Sequence, residues 1–553
     1  MEGSAPSRET VWTRFADRVR QRPTWWRLAW LTLFVGVMNV VVLFAQLSAL
    51  VHVLYLNADN ASALVLAALA SHAPAGSVVN LGNHPFYEPW WFMRATVGLP
   101  GYRQLWEGAP FLYAWLGIAA VTACAWWALG RLAALMCAVV LLSASEAQRA
   151  VLYVPPSHVL IVLHAGVLCG ALIFVYRRAR SGRLTRPLWV LIGAVLALFT
   201  GAGLTDQMLL VSGLAPFILA PLVCWLRLRS RASETVAVFA LLTGVLSVAV
   251  ELLVAHVMQG QHVVSAAYPI DFVASEALFS NLQNTIAALA SLGGGSFFGV
   301  SASGANLLTL AAGALTFLAL AAVLRALWHG MGPTEKPLEP LSLEAGTREL
   351  FIVYWGIVLV LGLAVFALTS LSNNAINYRY LLGSWVAVAA LLGILSTTLA
   401  ARAVLLMAVA VFGLLNIRSE LANGVGKLGV GPNQRMAGAI SHFVKAHGAS
   451  IGYAGYWDAA PVTWETHLRV KVYPIEACST PTGWCRFGSV QISSWYVPHP
   501  VTPTFLITDT RSEVSSAVSA PPASFGVPVA GEALGEGLSV YVYSHDIATD
   551  IGA

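Results

Sequence analysis

The chain has 553 residues, 58% of them hydrophobic and 10% charged, with a formal net charge of +5 and a mean hydropathy of +0.71. A soluble domain carries roughly 25% charged residues, so this composition cannot cover a water-facing surface and instead takes a bilayer as its solvent. The basic residues are nearly all arginine, the bias of a GC-rich bacterial genome, and the absence of a long basic run or aromatic-basic patch excludes nucleic acid as a partner.

The polar, arginine-rich N-terminus precedes an apolar run too long for a secretory signal, which reads as a retained signal-anchor helix. Apolar runs predict spans at roughly 29–51, 109–129, 132–150, 157–176, 188–205, 207–226, 235–258, 304–325, 350–371, 380–400 and 403–417. That is about eleven spans, each near the ~20 residues one crossing needs. If they alternate, Arg14, Arg18, Arg20, Arg22, Arg27, Arg131, Arg177, Arg178, Arg180, Arg183, Arg186, Arg227, Arg229, Arg231, Arg325, Arg348 and Arg402 share one side. The positive-inside rule makes that side cytoplasmic. The N-terminus is then cytoplasmic and the C-terminal region extracytoplasmic, in a bacterial plasma membrane. Arg94, Arg103, Arg149 and Arg379 fall on or near the other side, which makes them candidates for binding an anion.

Two outer loops are long, near 52–108 and 259–303. The first holds an amphipathic helix, Asn60 to Ala73, and then NHPFYEPWWFMR, whose Trp90, Trp91 and Arg94 suit a membrane interface. The second holds YPIDF, an interfacial helix from Asn281 to Leu292, and a turn at Gly293 to Gly295. From about 418 the composition changes. A helix over 436–447 and the β-prone runs IGYAGY, RVKVYP, TFLITD and LSVYVYS predict a small α/β domain over 418–553, after a membrane domain over 1–417. Cys124, Cys137, Cys169 and Cys224 lie in spans as small apolar side chains. Cys478 and Cys485 are an isolated pair in the outer domain, where an oxidising compartment favours a disulfide; two free thiols are the alternative.

Asp59, in LNADNAS, emerges from the first span on the outer side. A carboxylate there can act as a base on a hydroxyl, or as an N-cap for the helix that follows. Arg379, in NYRYLLGSWVAVAALLG, stands where a late span begins, as a phosphate ligand or a headgroup anchor. His84 and Glu88 belong to NHPFYEP, and Glu88 reads as an acceptor contact, a second acid or a solvated charge. Asp206 and Gln207 occupy a tight turn between spans, where Asp206 caps a helix or faces a cavity. Tyr453, Tyr456 and Trp457 beside Asp458 either stack on a sugar or pack the small domain. Glu146 and Arg149 are spaced as an i,i+3 pair. His164 and Glu251 lie deeper, as a buried pair or part of a proton pathway.

Asp59 in a first outer loop, the Arg379-Tyr380-Leu381 run opening a late span, and an outer domain containing GYAGYWDAAPVTWETHLRVKVYPIEAC resemble the GT-C superfamily of glycosyltransferases. The resemblance covers the whole chain as architecture. It implies a polytopic α-helical GT-C-like fold and an inverting enzyme moving a sugar from a polyprenyl-phosphate donor to an envelope glycan, lipid or protein. Asp59 is then the base, with Arg379 and Arg94 as donor-phosphate ligands and His84, Glu88, Asp206, Gln207, Tyr378 and Tyr380 as substrate contacts. The family's paired first-loop acids are not matched, because Asn60 follows Asp59. No His/Cys cluster has metal spacing, so a divalent metal is left open and no cofactor is assigned. The rivals are a flippase for lipid-linked saccharides, whose acids would lie near the midplane, and an inactive scaffold of the same fold.

Overall fold

The computed structural model describes residues 24–45, 58–82, 87–153, 158–265, 270–296, 306–330, 342–373, 375–423, 432–479, 483–498, 503–510, 518–535 and 537–552. In chain order the membrane part comprises α1 (Thr24–Ala45), α2 (Ala58–Ala70), β1 (Val79–Asn80), α3 (Tyr87–Thr96), α4 (Tyr102–Leu129), α5 (Arg131–Leu142), α6 (Glu146–Leu152) and α7 (Val159–Arg180). It continues with α8 (Arg186–Gly203), α9 (Gln207–Leu228), α10 (Arg231–Gly260), β2 (Val263–Val264) and α11 (Leu278–Leu292). The last four membrane helices are α12 (Asn306–Gly330), α13 (Leu343–Leu368), α14 (Asn377–Leu395) and α15 (Leu399–Asn423). Among the described residues ten helices are long and apolar enough to cross a bilayer, eleven if the bent pair α5 and α6 is one crossing.

That pair corrects one expected element. The run at 132–150 is two helices bent by 90°. Ser145 caps α6 by accepting from the Gln148 N–H at 3.1 Å, while its own hydroxyl donates to the Leu292 carbonyl at 2.8 Å. A buried serine cap breaks the helix without interrupting the hydropathy. The large apolar side chains left exposed on the bundle, such as Leu191, Leu198, Val245, Leu252 and Leu253, are the surface a bilayer would solvate.

Where α4 crosses α7 the helices meet at small residues. A Cβ on Gly166 would lie 2.9 Å from Ala120 Cβ and 3.1 Å from the Val121 backbone nitrogen. The crossing depends on that missing side chain.

The expected amphipathic helix near 60–73 forms as α2, but it is not amphipathic in its surroundings. Ala61, Leu64, Val65, Leu66, Ala67 and Ala68 are all buried, because the C-terminal domain covers the side that the bundle does not. A helix apolar all round is a buried helix. The helix expected at 281–292 forms as α11, pinned by Asn281 Nδ2 donating to the Ala367 and Thr369 carbonyls, both at 3.1 Å. Phe279, Leu282 and Ile286 project from its exposed face, a pattern suited to lying in an interface.

The C-terminal part contains α16 (Pro432–Ala446), β3 (Ile451–Ala454), α17 (Tyr456–Glu465), β4 (Lys471–Ala477), β5 (Trp484–Arg486), β6 (Gln491–Ile492), β7 (Thr504–Asp509), β8 (Ala530–Gly535) and β9 (Leu538–Tyr543). The four β-prone runs become β3, β4, β7 and β9. The six-stranded sheet has the order β5-β4-β3-β7-β9-β8, with β4, β3 and β7 parallel and the outer pairings antiparallel. Strand β7 is buried at every residue, as a central parallel strand covered on both faces should be. Its side chains alternate between two cores: Phe505 and Ile507 join Ile440 and Val444 of α16, whereas Leu506 joins the core that contains α2. Cys478 and Cys485 are bonded across the turn between β4 and β5.

The domain docks in two ways. Its strand β6 pairs antiparallel with β1, which pairs in parallel with β2, so one three-stranded sheet joins both long loops to the domain. Beside it, Trp464 of α17 stacks on Trp106 of α4, lies under the Arg103 guanidinium at 4.2 Å, and donates from Nε1 to Glu107 at 2.8 Å.

Gly166→Val is expected to force α4 and α7 apart and to destabilise the protein by about 1–3 kcal/mol. Thermal unfolding of the purified variant in detergent should show a lower midpoint; an unchanged midpoint would mean the crossing tolerates a side chain.

Candidate functional site

Asp59 lies in the first turn of α2, one residue inside the helix, where the helix dipole favours a carboxylate. Neither of its oxygens is spent on a cap. Oδ2 accepts from Arg379 Nη1 at 3.0 Å, across 320 residues of sequence. Oδ1 accepts from the Tyr456 hydroxyl at 2.7 Å, across 397 residues. The Asp59 side chain is 30% exposed and that of Arg379 is 32% exposed, so the pair opens to solvent on one side.

Each partner is set by its own element. Arg379 belongs to a 3-10 turn (Ala375–Leu381) that overlaps the first residues of α14, and its guanidinium also lies 5.1 Å from the Tyr380 ring. Tyr456 opens α17 directly after β3, and its ring stacks on Phe487 at 4.6 Å. Burial, and next the Asp59 carboxylate, raise the Tyr456 hydroxyl above its ordinary value of 10.0. It therefore stays protonated and remains a donor to Asp59.

The polar line continues behind the pair. Tyr380 is buried and meets the His158 ring edge-on at 5.3 Å. His158 Nδ1 lies 2.8 Å from Asp206 Oδ2, and the other Asp206 oxygen accepts from the Met208 N–H at 2.8 Å as the cap of α9. Asp206 thus both caps a helix and faces inward. A π-helical turn (Leu210–Leu214) follows at once, a feature frequent near functional sites.

Five of the sequence candidates, Asp59, Arg379, Tyr380, Asp206 and Tyr456, are brought into this line. Tyr378 is half-buried against the main core, and Gln207 begins α9, half-buried. Arg94 is not part of the pair: its guanidinium donates to the Ala67 carbonyl at 3.4 Å and lies over Trp90 at 5.9 Å. Ala67 is eight residues beyond Asp59, ~12 Å along the helix. His84 and the side chain of Glu88 lie outside the described residues. Of the aromatics read as sugar contacts, Tyr453 is a core residue whose hydroxyl donates to Asp546 at 3.2 Å, and Tyr456 serves Asp59. Asp458 is buried, and Trp457 is exposed.

His158 escapes a sequence reading. It follows two prolines before an apolar run, a context with no chemical signature. The buried pair suggested for His164 and Glu251 does not form. The His164 ring nitrogens lie 2.8 Å from the Leu160 carbonyl and 3.1 Å from that of Phe199. Among the described residues no three His, Cys, Asp or Glu side chains converge as metal ligands.

No protein-family model matches the chain, and no curated protein matches its sequence. Its fold is similar to the apo crystal structure of ArnT from Cupriavidus metallidurans, with 14% sequence identity, a TM-score of 0.50, and coverage of 95% of this chain and 99% of that one. The chain therefore shares that fold, a polytopic helical membrane domain followed by a strand-containing C-terminal domain, the architecture that the sequence resemblance implies.

Raised hydroxyls make alkaline stability a readout of the site. Tyr453 and Tyr456 are both raised from 10.0, so their contributions are full below about pH 10 and fall as pH rises above it, where the unfolded chain ionises first. Tyr456→Phe is expected to cost about 1 kcal/mol near neutral pH and to make the alkaline loss shallower. Melts recorded from about pH 7 to about pH 11 would show parallel curves for the two proteins if the hydroxyl were not held in this way.

Proposed function

We propose that the chain is an inverting glycosyltransferase that moves a sugar from a polyprenyl-phosphate donor to an envelope glycan, lipid or protein on the outer face of a bacterial inner membrane. The observation that carries this reading is the meeting of Asp59 and Arg379 at 3.0 Å on a GT-C fold, from opposite parts of the chain. The clusters at Arg177–Arg186 and Arg227–Arg231 support placing the other end of the bundle in the cytoplasm.

The chemistry follows from what each group does. The donor's phosphate is already a leaving group, and it needs charge stabilisation more than a proton. Its anion competes with Asp59 for Arg379. Once the guanidinium turns to phosphate, Oδ2 of Asp59 is released toward the acceptor hydroxyl. Tyr456 keeps Oδ1 and so fixes the carboxylate's orientation while its partner changes.

Asp59 then takes the hydroxyl proton as the acceptor oxygen bonds to the anomeric carbon. The bond from that carbon to the phosphate oxygen breaks, and its electron pair leaves with the phosphate. One displacement with no covalent intermediate inverts the centre. The edge-on contact of Tyr380 with His158, itself held by Asp206, keeps a ring beside the guanidinium. Arg94 stands outside this mechanism.

The reading also accounts for the position of the ionisable groups. They converge at the end of the bundle beneath the C-terminal domain. A flippase would be expected to concentrate its acids near the midplane. His164, the deep histidine, is engaged by backbone carbonyls.

The test is sugar transfer by purified protein in lipid, with a panel of polyprenyl-phosphate sugars as donors and envelope extract as acceptor. Asp59→Asn and Arg379→Gln, each checked for folding, are expected to lose on the order of 100-fold or more. Full activity in well-folded Asp59→Asn would reject Asp59 as the base. Movement of a lipid-linked sugar between leaflets, without transfer from any donor, would replace the enzyme with a transporter.

A further inference from the structure

The end of the bundle away from Asp59 contains a cavity of about 800 Å³ that the proposed reaction does not use. It lies where α4 meets α5, where α13 begins and where α14 passes into α15. Residues 393–397 follow Arg379 by most of a span, on the order of 25 Å of helix. Three guanidinium groups, Arg177, Arg348 and Arg402, line the cavity against one carboxylate, Glu344. Among the described residues none of the three is paired with a carboxylate. Arg402 spends its Nε on the Ser396 carbonyl at 3.2 Å. Ser396 and Thr397 add hydroxyls to the lining. The rule that places arginines at the cytoplasmic end of spans explains their side, but not their convergence on one cavity.

The surroundings indicate what kind of anion would fit. Trp126 and Trp127 line the same cavity and are largely exposed, as indoles at headgroup level are. The 392–397 segment also lines an apolar groove of about 250 Å³ between α12, α14 and α15, through Leu392 and Leu395. Leu318 and Val404 line that groove and are more than half exposed, so it reaches the lipid-facing surface. A basic pocket that adjoins an apolar groove fits an amphiphile with an anionic head, and basic pockets between helices on the cytoplasmic side hold such heads. We propose that this end of the bundle binds an anionic glycerophospholipid, with its phosphate among Arg177, Arg348 and Arg402 and an acyl chain along the groove.

The test is native mass spectrometry of the full chain, delipidated in detergent and titrated with phosphatidylglycerol, phosphatidylcholine or glycerol phosphate. Phosphatidylglycerol should bind at least about tenfold more tightly than phosphatidylcholine, an advantage that shrinks as salt rises. The double variant Arg348→Gln, Arg402→Gln should lose on the order of 30-fold for phosphatidylglycerol and leave phosphatidylcholine unchanged. Ala408→Trp, which fills the groove, should weaken both lipids.

Equal binding of the two lipids, or a folded double variant that binds phosphatidylglycerol like wild type, would overturn the site. Glycerol phosphate binding as tightly as the lipid would show a soluble-anion pocket and remove the acyl groove from the proposal. If the double variant does not fold, the wild-type ratio of the two lipids and its salt dependence decide, and a ratio near one rejects the site.

Discussion

A carboxylate and a guanidinium that meet with about a third of each side chain exposed gain little net stability, because water and salt screen them. The contact between Asp59 and Arg379 therefore does not hold the molecule together; the molecule holds the contact. Asp59 is placed by α2, wedged between the bundle and the C-terminal domain. Arg379 is placed by a 3-10 turn whose last two residues, Tyr380 and Leu381, are buried in the main core. Tyr456 arrives from a third direction, on a helix fixed by the sheet beneath it. Three separately packed pieces converge on one carboxylate, so its position is set by apolar packing rather than by the ion pair. That leaves the pair free to exchange partners without cost to the fold.

The sequence was legible where physics is local. Spans announce themselves by hydropathy, and β3, β4, β7 and β9 by short apolar and β-branched runs. It was illegible where a second body decides the outcome. The bend between α5 and α6 is made by Ser145, whose partner Leu292 is remote in sequence. Burial of α2 all round depends on a domain that begins hundreds of residues later, so its exposed face could not be read from its own pattern.

The site shows the same division. Asp59 and Arg379 stood out because charges at the mouths of spans are costly and need a reason, and a family resemblance supplied one. Their direct contact, the Tyr456 hydroxyl and the support from His158 and Asp206 are tertiary facts. Tyr456 was visible as an aromatic in a suggestive string, but its hydroxyl, not its ring face, is what meets Asp59. Arg94 illustrates the reverse case, a conspicuous basic residue absorbed by a backbone carbonyl and an indole.

The small sheet of β2, β1 and β6 has a bearing on how the protein is made. Its three strands come from 263–264, 79–80 and 491–492, and each contributes only a two-residue segment. Segments so short have no independent stability. During synthesis β1 has no antiparallel neighbour until the chain has grown through β6, by which time every span has emerged. Tyr456 reaches Asp59 by way of the same docking. Tyr456 also follows the last span, which ends at Asn423, so Asp59 lacks the tyrosine throughout the synthesis of the membrane part. Assembly thus includes a docking step in which the C-terminal domain completes a sheet whose first strand was made hundreds of residues earlier.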